Sequence, residues 1–179
     1  VKVHPVGPAA GRVRVGASGY PFEATLGANA PAMSVRRRDA QVGLSLSPVL
    51  GALRFGPGVL REGAVVYPSG DAAVVVLTPG PQGIKEDIVL ARPAGDELSF
   101  EWEVKLDPGL EARGEADGSV GVYGPSSFLL GEVQVGDEKS RRLLEHARGR
   151  APADEKLFRL PAPLVRDAAG VEVTTGDRK

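Results

Sequence analysis

Gly83-Ile84-Lys85-Glu86-Asp87-Ile88-Val89-Leu90, running on to Leu98-Ser99-Phe100-Glu101-Trp102-Glu103-Val104-Lys105-Leu106, decides the fold class of this chain. In its second half Leu98, Phe100, Trp102, Val104 and Leu106 recur at spacing two, with Ser99, Glu101, Glu103 and Lys105 between them. That is the period of a strand with one buried and one wet face, not of a helix. Burying the apolar face at ~25 cal/mol per Å² stabilises a fold by several kcal/mol before the entropy of ordering is subtracted. Trp102 is the only tryptophan. It has the chemistry to stack on a sugar, but its place in the alternating face predicts a core anchor. Two adjacent carboxylates beside a lysine also suggest an acid/base or hard-cation site at Lys85-Glu86-Asp87. Adjacent strand residues point to opposite faces, so Glu86 and Asp87 do not converge. The favoured expectation is a charged turn whose side chains bond to backbone and fix strand entry.

Upstream, Arg12-Val13-Arg14-Val15, Phe22-Glu23-Ala24-Thr25-Leu26 and Val42-Gly43-Leu44-Ser45-Leu46-Ser47 read as short strands between glycine and proline breakers, and Gly56-Pro57-Gly58 as a turn. Ala64-Val65-Val66-Tyr67 and Ala72-Ala73-Val74-Val75-Val76-Leu77 flank Pro68-Ser69-Gly70-Asp71, which predicts a hairpin. The unbroken run Val74 to Leu77 predicts a central strand buried on both faces. Downstream, Asp117-Gly118 between Leu110-Glu111-Ala112-Arg113 and Ser119-Val120-Gly121-Val122-Tyr123 predicts a second hairpin. The pattern turns helical over 137–148: Asp137 caps, Arg141, Arg142, Leu143, Leu144 and Ala147 favour helix, and Gly149 terminates it. Strand-like Lys156-Leu157-Phe158-Arg159-Leu160 and Val171-Glu172-Val173-Thr174 follow. No internal repeat is visible.

The chain is 179 residues long and 42% hydrophobic, enough to build a core without covalent staples. With 22 basic and 23 acidic residues the net charge of -1 gives no electrostatic reason for a nucleic-acid or anionic-membrane partner. Arg36-Arg37-Arg38, the sharpest basic cluster, lacks interleaved aromatics and reads as a solvated loop or strand edge. The absence of cysteine excludes disulfides, thiolate metal sites and cysteine nucleophiles. No run is long enough for a membrane helix, so no membrane insertion is expected. A start at Val1 points to a mature or excised segment of something longer. Twenty-four glycines and 15 prolines suit many short strands.

Several of these segments, in this order, resemble the β-rich region ahead of the repeats in bacterial Rhs/YD-repeat and DNRLRE-type exported proteins. They are Val66-Tyr67, Gly83 to Leu90, the strand containing Phe100 and Trp102, Asp117-Gly118-Ser119, and Leu160-Pro161-Ala162-Pro163 with Asp167 and Gly170 behind it. The resemblance spans 60–173. Its sharpest parts take the forms G-V-K-E-x-I-V-L and I-P-A-P in relatives, and residues 1–59 match less well. It marks Gly83, Lys85, Glu86, Asp87, Phe100, Trp102, Asp117, Gly118, Pro161 and Pro163 as structural motif residues. It implies export to the secreted or cell-surface compartment, β-structure and no intrinsic enzyme activity. About thirty residues within 124–155, including the helix, depart from the family pattern as an insertion where a partner would bind. There is no YD-repeat array, so a shell-building role would belong to a larger parent chain.

Candidate chemistry elsewhere is thin. His4 and His146 are far apart and form no metal pair. Ser45, Ser47, Ser126 and Ser127 lack a nucleophile-elbow context, and the glycines around Gly121 and Gly124 form no phosphate loop. Asp167, Glu172 and Asp177 lack the tight spacing of a calcium loop and read as solvated turn carboxylates.

The sequence therefore predicts an all-β, predominantly antiparallel, sandwich- or shell-like fold with one short helix near 137–148. Its segments are 1–59, 60–173 and a polar tail 174–179. The expected role is a non-catalytic structural or interaction module of an exported bacterial protein, with a protein partner, no cofactor and no nucleic acid. A carbohydrate-binding module is the alternative, and would need exposed aromatics among Tyr20, Tyr67 and Tyr123. A metal-dependent or hydrolytic enzyme ranks third for want of a convergent polar set.

Overall fold

A computed structural model of the chain describes residues 3–5, 13–15, 20–49, 54–71, 73–91, 100–125, 137–149 and 154–172. The chain divides into two compact units, Val1–Asp107 with Gly131–Val133, and Pro108–Leu130 with Gln134–Lys179. Both are antiparallel β-structure, as the alternating segments predict.

In the first unit β1 (Val3–Pro5), β2 (Val13–Val15), β3 (Phe22–Leu26), β4 (Met33–Arg37) and β5 (Gly43–Pro48) pair in chain order. β6 (Val59–Arg61), β7 (Ala64–Ser69), β8 (Ala73–Gly80) and β9 (Gly83–Leu90) form a separate four-stranded meander. β10 (Trp102–Leu106) then returns to the first sheet and pairs with β5 as its sixth, edge strand. Alternation supplies the core. Phe22, Ala24, Leu26 and Met33 from one sheet meet Val65, Tyr67, Val75 and Leu77 from the other, all buried. Leu46, Phe55, Ile84 and Ile88 pack around them. Two sheets that share one apolar layer in this way are each hydrophobic on a single face.

Tyr67, fully buried, donates its hydroxyl proton to the Gly27 carbonyl at 2.8 Å, which ties the second sheet to the turn after β3. Burial pushes that phenol up to about 12. Gly58 lies against the same ring, where a Cβ would come within 2.7 Å of it, so only glycine fits. The Gly56 to Gly58 segment is irregular and is held by Gly56 N–H to Pro68 O and Gly58 N–H to Ala28 O, both 2.7 Å.

Several sequence expectations need correction here. Lys85-Glu86-Asp87 is not a turn: it lies inside β9, and the reversal falls at Pro81-Gln82 between the paired Gly80 and Gly83. Trp102 is half-buried and stands outside the core cluster, while Val104 is 37% exposed. Their register opposite Pro48 and Leu46 shows the reason, since among the described residues β10 has a neighbouring strand on one side only. Phe100 precedes the strand and is half-buried. Leu98 and Ser99 lie outside the described residues, as do Arg12 and Ala72. β8 is central, but it alternates: Ala73, Val75, Leu77 and Pro79 are buried, Val74 and Val76 half-buried, and Thr78 exposed. Arg36 and Arg37 end the interior strand β4. A boundary at 59/60 would cut β6.

In the second unit β11 (Glu111–Gly114), β12 (Val120–Pro125) and β13 (Asp154–Leu160) form a three-stranded sheet that buries Val122 and Leu157. Asp117-Gly118 makes the β11–β12 reversal as predicted, with Gly118 at φ 78°. The helix α1 (Glu138–Gly149) is one residue displaced from the expected 137–148. Asp137 caps it, accepting the Ser140 N–H at 2.8 Å. Both ends of the 124–155 insertion are strand residues, since Gly124 pairs with Glu155 and Pro125 with Asp154. Of the strand expected over Val171 to Thr174 the described part is a single Arg166–Glu172 bridge, around a turn in which Asp167 Oδ1 accepts the Ala169 and Val171 N–H groups.

Candidate interaction surface

The motif residues fall in two places. Gly83, Lys85, Glu86 and Asp87 lie together on β9, which among the described residues is paired on one side only, to β8. Asp117 and Gly118 lie in the second unit next to the segment carrying Pro161 and Pro163, where a Cβ on Gly118 would touch Ala162 at 3.4 Å. Phe100 and Trp102 join neither group.

Along β9 the side chains alternate. Lys85 and Asp87 share the outer face and pair at 2.8 Å. Glu86 points the other way. Its partner across the ladder is Leu77, fully buried, and its neighbours on that face are Ile84 and Ile88, which pack on the core. An inward carboxylate on an apolar face is costly unless bonded or protonated. Glu86 Oε1 is buried with no hydrogen-bond partner among the described residues. Burial, with a smaller push from Asp87, raises this carboxyl to about 7. Beyond Glu86 the strand ends in Val89 and Leu90, 55% and 41% exposed. Other strand edges carry similar side chains, Val59 and Leu60 on β6 and Val104 on β10.

In the second unit the Asp-Gly turn anchors a polar network that sequence reasoning did not foresee. The Ser119 hydroxyl, 1% exposed, lies 2.6 Å from Asp117 Oδ1 and 3.1 Å from Glu115 Oε2. Arg159 donates to Ser119 Oγ at 3.3 Å and to Asp117 Oδ2 at 2.6 Å. Tyr123 donates to Glu115 Oε1 at 2.6 Å, and Lys156 pairs with the same oxygen. Arg113 lies 4.8 Å over the Tyr123 ring and also pairs with Glu111 and Asp154. The bonds from Ser119, helped by Arg159, hold Asp117 at about 2. Lys156 and Tyr123 hold Glu115 below the usual carboxylate range, and Glu115 in turn raises Lys156. Gly121 is obligatory, because a Cβ there would overlap both Glu115 and the Tyr123 ring. Every charge in this network has an opposite partner and its serine is buried, so it fastens three strands together. The one signal available in the sequence was the hairpin register, which sets Glu111 opposite Tyr123.

Elsewhere in the first unit, Arg36 pairs with Asp107, Arg37 with Asp39, and Arg38 with Glu23. Asp107 also accepts the Gly43 N–H at 2.8 Å beside a polar hollow of about 110 Å³ lined by Ser34, Arg36, Ser45 and Lys105. That volume holds a few waters and falls short of the several hundred Å³ of a small-molecule site. Among the described residues no three His, Asp or Glu side chains converge as metal ligands, and no helix is long and apolar enough to cross a membrane. Ser126, Ser127 and Asp177 lie outside the described residues. The chain matches no family model, no curated protein and no solved structure.

Proposed function

We propose that this chain is a non-catalytic structural or interaction module of an exported bacterial protein, engaging another polypeptide through its sheet edges. The observation that carries this reading is the eight-residue β9, bonded on one side among the described residues and ending in exposed Val89 and Leu90. Unpaired backbone N–H and C=O groups beside apolar side chains recruit a further strand, a recurring way for a sheet to take a peptide. Export, and a parent of the Rhs type, rest on the motif resemblance alone.

The carbohydrate alternative finds less support in the tyrosines. Tyr67 is buried, Tyr20 stacks on Phe22 with centroids 5.6 Å apart, and Tyr123 lies under Arg113 and Lys156. A sugar platform needs aromatic faces open to solvent. The interaction reading is tested by cross-linking the native protein in its source, followed by peptide mass analysis. Links from β6, β9 or β10 to another polypeptide chain are the expected result. A freely monomeric chain with no such links, or one that turns over a substrate, contradicts it.

A further inference from the structure

The segment Ile84-Lys85-Glu86-Asp87-Ile88 has a property that the general reading does not use: it is complementary to itself when reversed. We propose that β9 pairs with β9 of a second copy of this chain, antiparallel and centred on Glu86, joining two four-stranded sheets into one of eight. The inference rests on the interaction-module reading and specifies its partner.

In that register Ile84 faces Ile88 of the second copy on the inner side, and Lys85 faces its Asp87 on the outer side. The two-fold axis then repeats both pairs. Directly opposed residues in an antiparallel pair are close enough for each apolar and each opposite-charge pair to contribute. An unrelated edge strand would meet these demands only by coincidence, whereas a second copy meets all of them by symmetry. Val89 faces Gly83, which puts no side chain in its way.

Glu86 lies on the axis and meets its own counterpart. Two carboxylates at that distance on an apolar face do not both ionise. Protonated, each supplies the donor and acceptor that Oε1 lacks within one chain. The surroundings leave this balance to pH. β8, packed against it, carries no ionisable side chain from Ala73 to Gly80. On β9 itself Lys85 and Asp87 point to the opposite face, and among the described groups Asp87 is the charge that acts on it. Pairing is therefore strong where Glu86 is protonated and weak where it is ionised. An inward carboxylate that serves only to keep an edge strand from associating would leave the chain monomeric at both pH values.

The test is sedimentation of the whole 179-residue chain at about pH 5 and about pH 9, on either side of the Glu86 transition. Wild type is expected to be dimeric at the lower pH and to dissociate at the higher. E86Q should remain dimeric at both. K85D and D87K each set two like-charged pairs across the axis and should weaken the dimer by about tenfold or more. The double variant K85D/D87K restores opposite charges and should recover it. Lys85 and Asp87 are 72% and 41% exposed, so these changes leave the core untouched. A chain that is monomeric at both pH values overturns the proposal, as does a dimer that the single charge reversals do not weaken. If the native cross-links reach a different polypeptide while the isolated chain stays monomeric, self-pairing fails and the interaction-module reading survives. If neither is seen, both fail.

Discussion

Glu86 is the residue at which the local rules of this fold conflict, because the strand period requires an inward side chain and the side chain supplied is acidic. Its carboxyl rises from an ordinary 4.5 to about 7 on folding, so the folded chain holds a proton that the unfolded chain has released. The cost is absent below about pH 4.5, grows as pH rises and is complete above about pH 7. Part of the side chain stays hydrated at the strand edge, so the penalty is on the order of 2 kcal/mol, less than the whole shift implies. E86Q should therefore stabilise the first unit at pH 8 and leave it nearly unchanged at pH 4, read by denaturant unfolding followed through Trp102 fluorescence at concentrations where the chain is monomeric. Equal effects at both pH values would show that the carboxyl is not held protonated. The sequence marked Lys85-Glu86-Asp87 as unusual and separated Glu86 from Asp87 by face, yet placed the triplet in a turn. What it lacked was the position of the reversal, because Pro81-Gln82-Gly83 turns the chain two residues before the charges begin.

Among elements, those specified by local chemistry were legible. The Asp117-Gly118 hairpin, the Asp137-capped helix and the alternating β3 each carry their own signal. Gly118 holds φ 78°, and a Cβ there would meet the Ala162 side chain at an ordinary contact distance of 3.4 Å, so G118A should cost about 1 kcal/mol through the backbone conformation alone. Thermal unfolding of the second unit, followed by its backbone amides, should report this, and an unchanged midpoint would contradict the turn geometry. Elements specified by distant partners were not legible. β4 carries no local strand signal because Met33-Ser34-Val35-Arg36-Arg37 ends in the arginine cluster, whose charges are neutralised by Asp107, Asp39 and Glu23. β10 was visible as a strand, but its half-exposed Trp102 and Val104 follow from being sixth in a sheet, a fact of topology that alternation does not encode. The network of Glu115, Ser119, Tyr123, Lys156 and Arg159 likewise depends on β13 returning beside β12 from beyond α1.

For the molecule as a whole, the two units carry opposite responses to pH. Asp117 falls from an ordinary 3.8 to about 2 in the second unit, so its contribution is present above about pH 4 and is lost as pH falls through about 2. Glu115, also lowered, acts in the same sense. Asp39 in the first unit is lowered by Arg37 and responds only in that acid window, whereas Glu86 responds between about pH 4.5 and 7. Unfolding should therefore resolve into two transitions. The one seen by Trp102 moves down as pH rises from 4 to 8, and the one seen by second-unit amides moves down as pH falls below 4. A single transition with one pH response would mean that the units do not unfold separately.

The central proposal is that β9 pairs with a second copy through the edge left unpaired among the described residues, and hydrogen exchange of the intact protein at about pH 5, measured at low and at high protein concentration, tests it most directly. Amides in 83–90 should exchange more slowly as concentration rises, while those of β6 and β10 keep their rates. Exchange in β9 that is indifferent to concentration, or protection that gathers on another edge, would contradict the account.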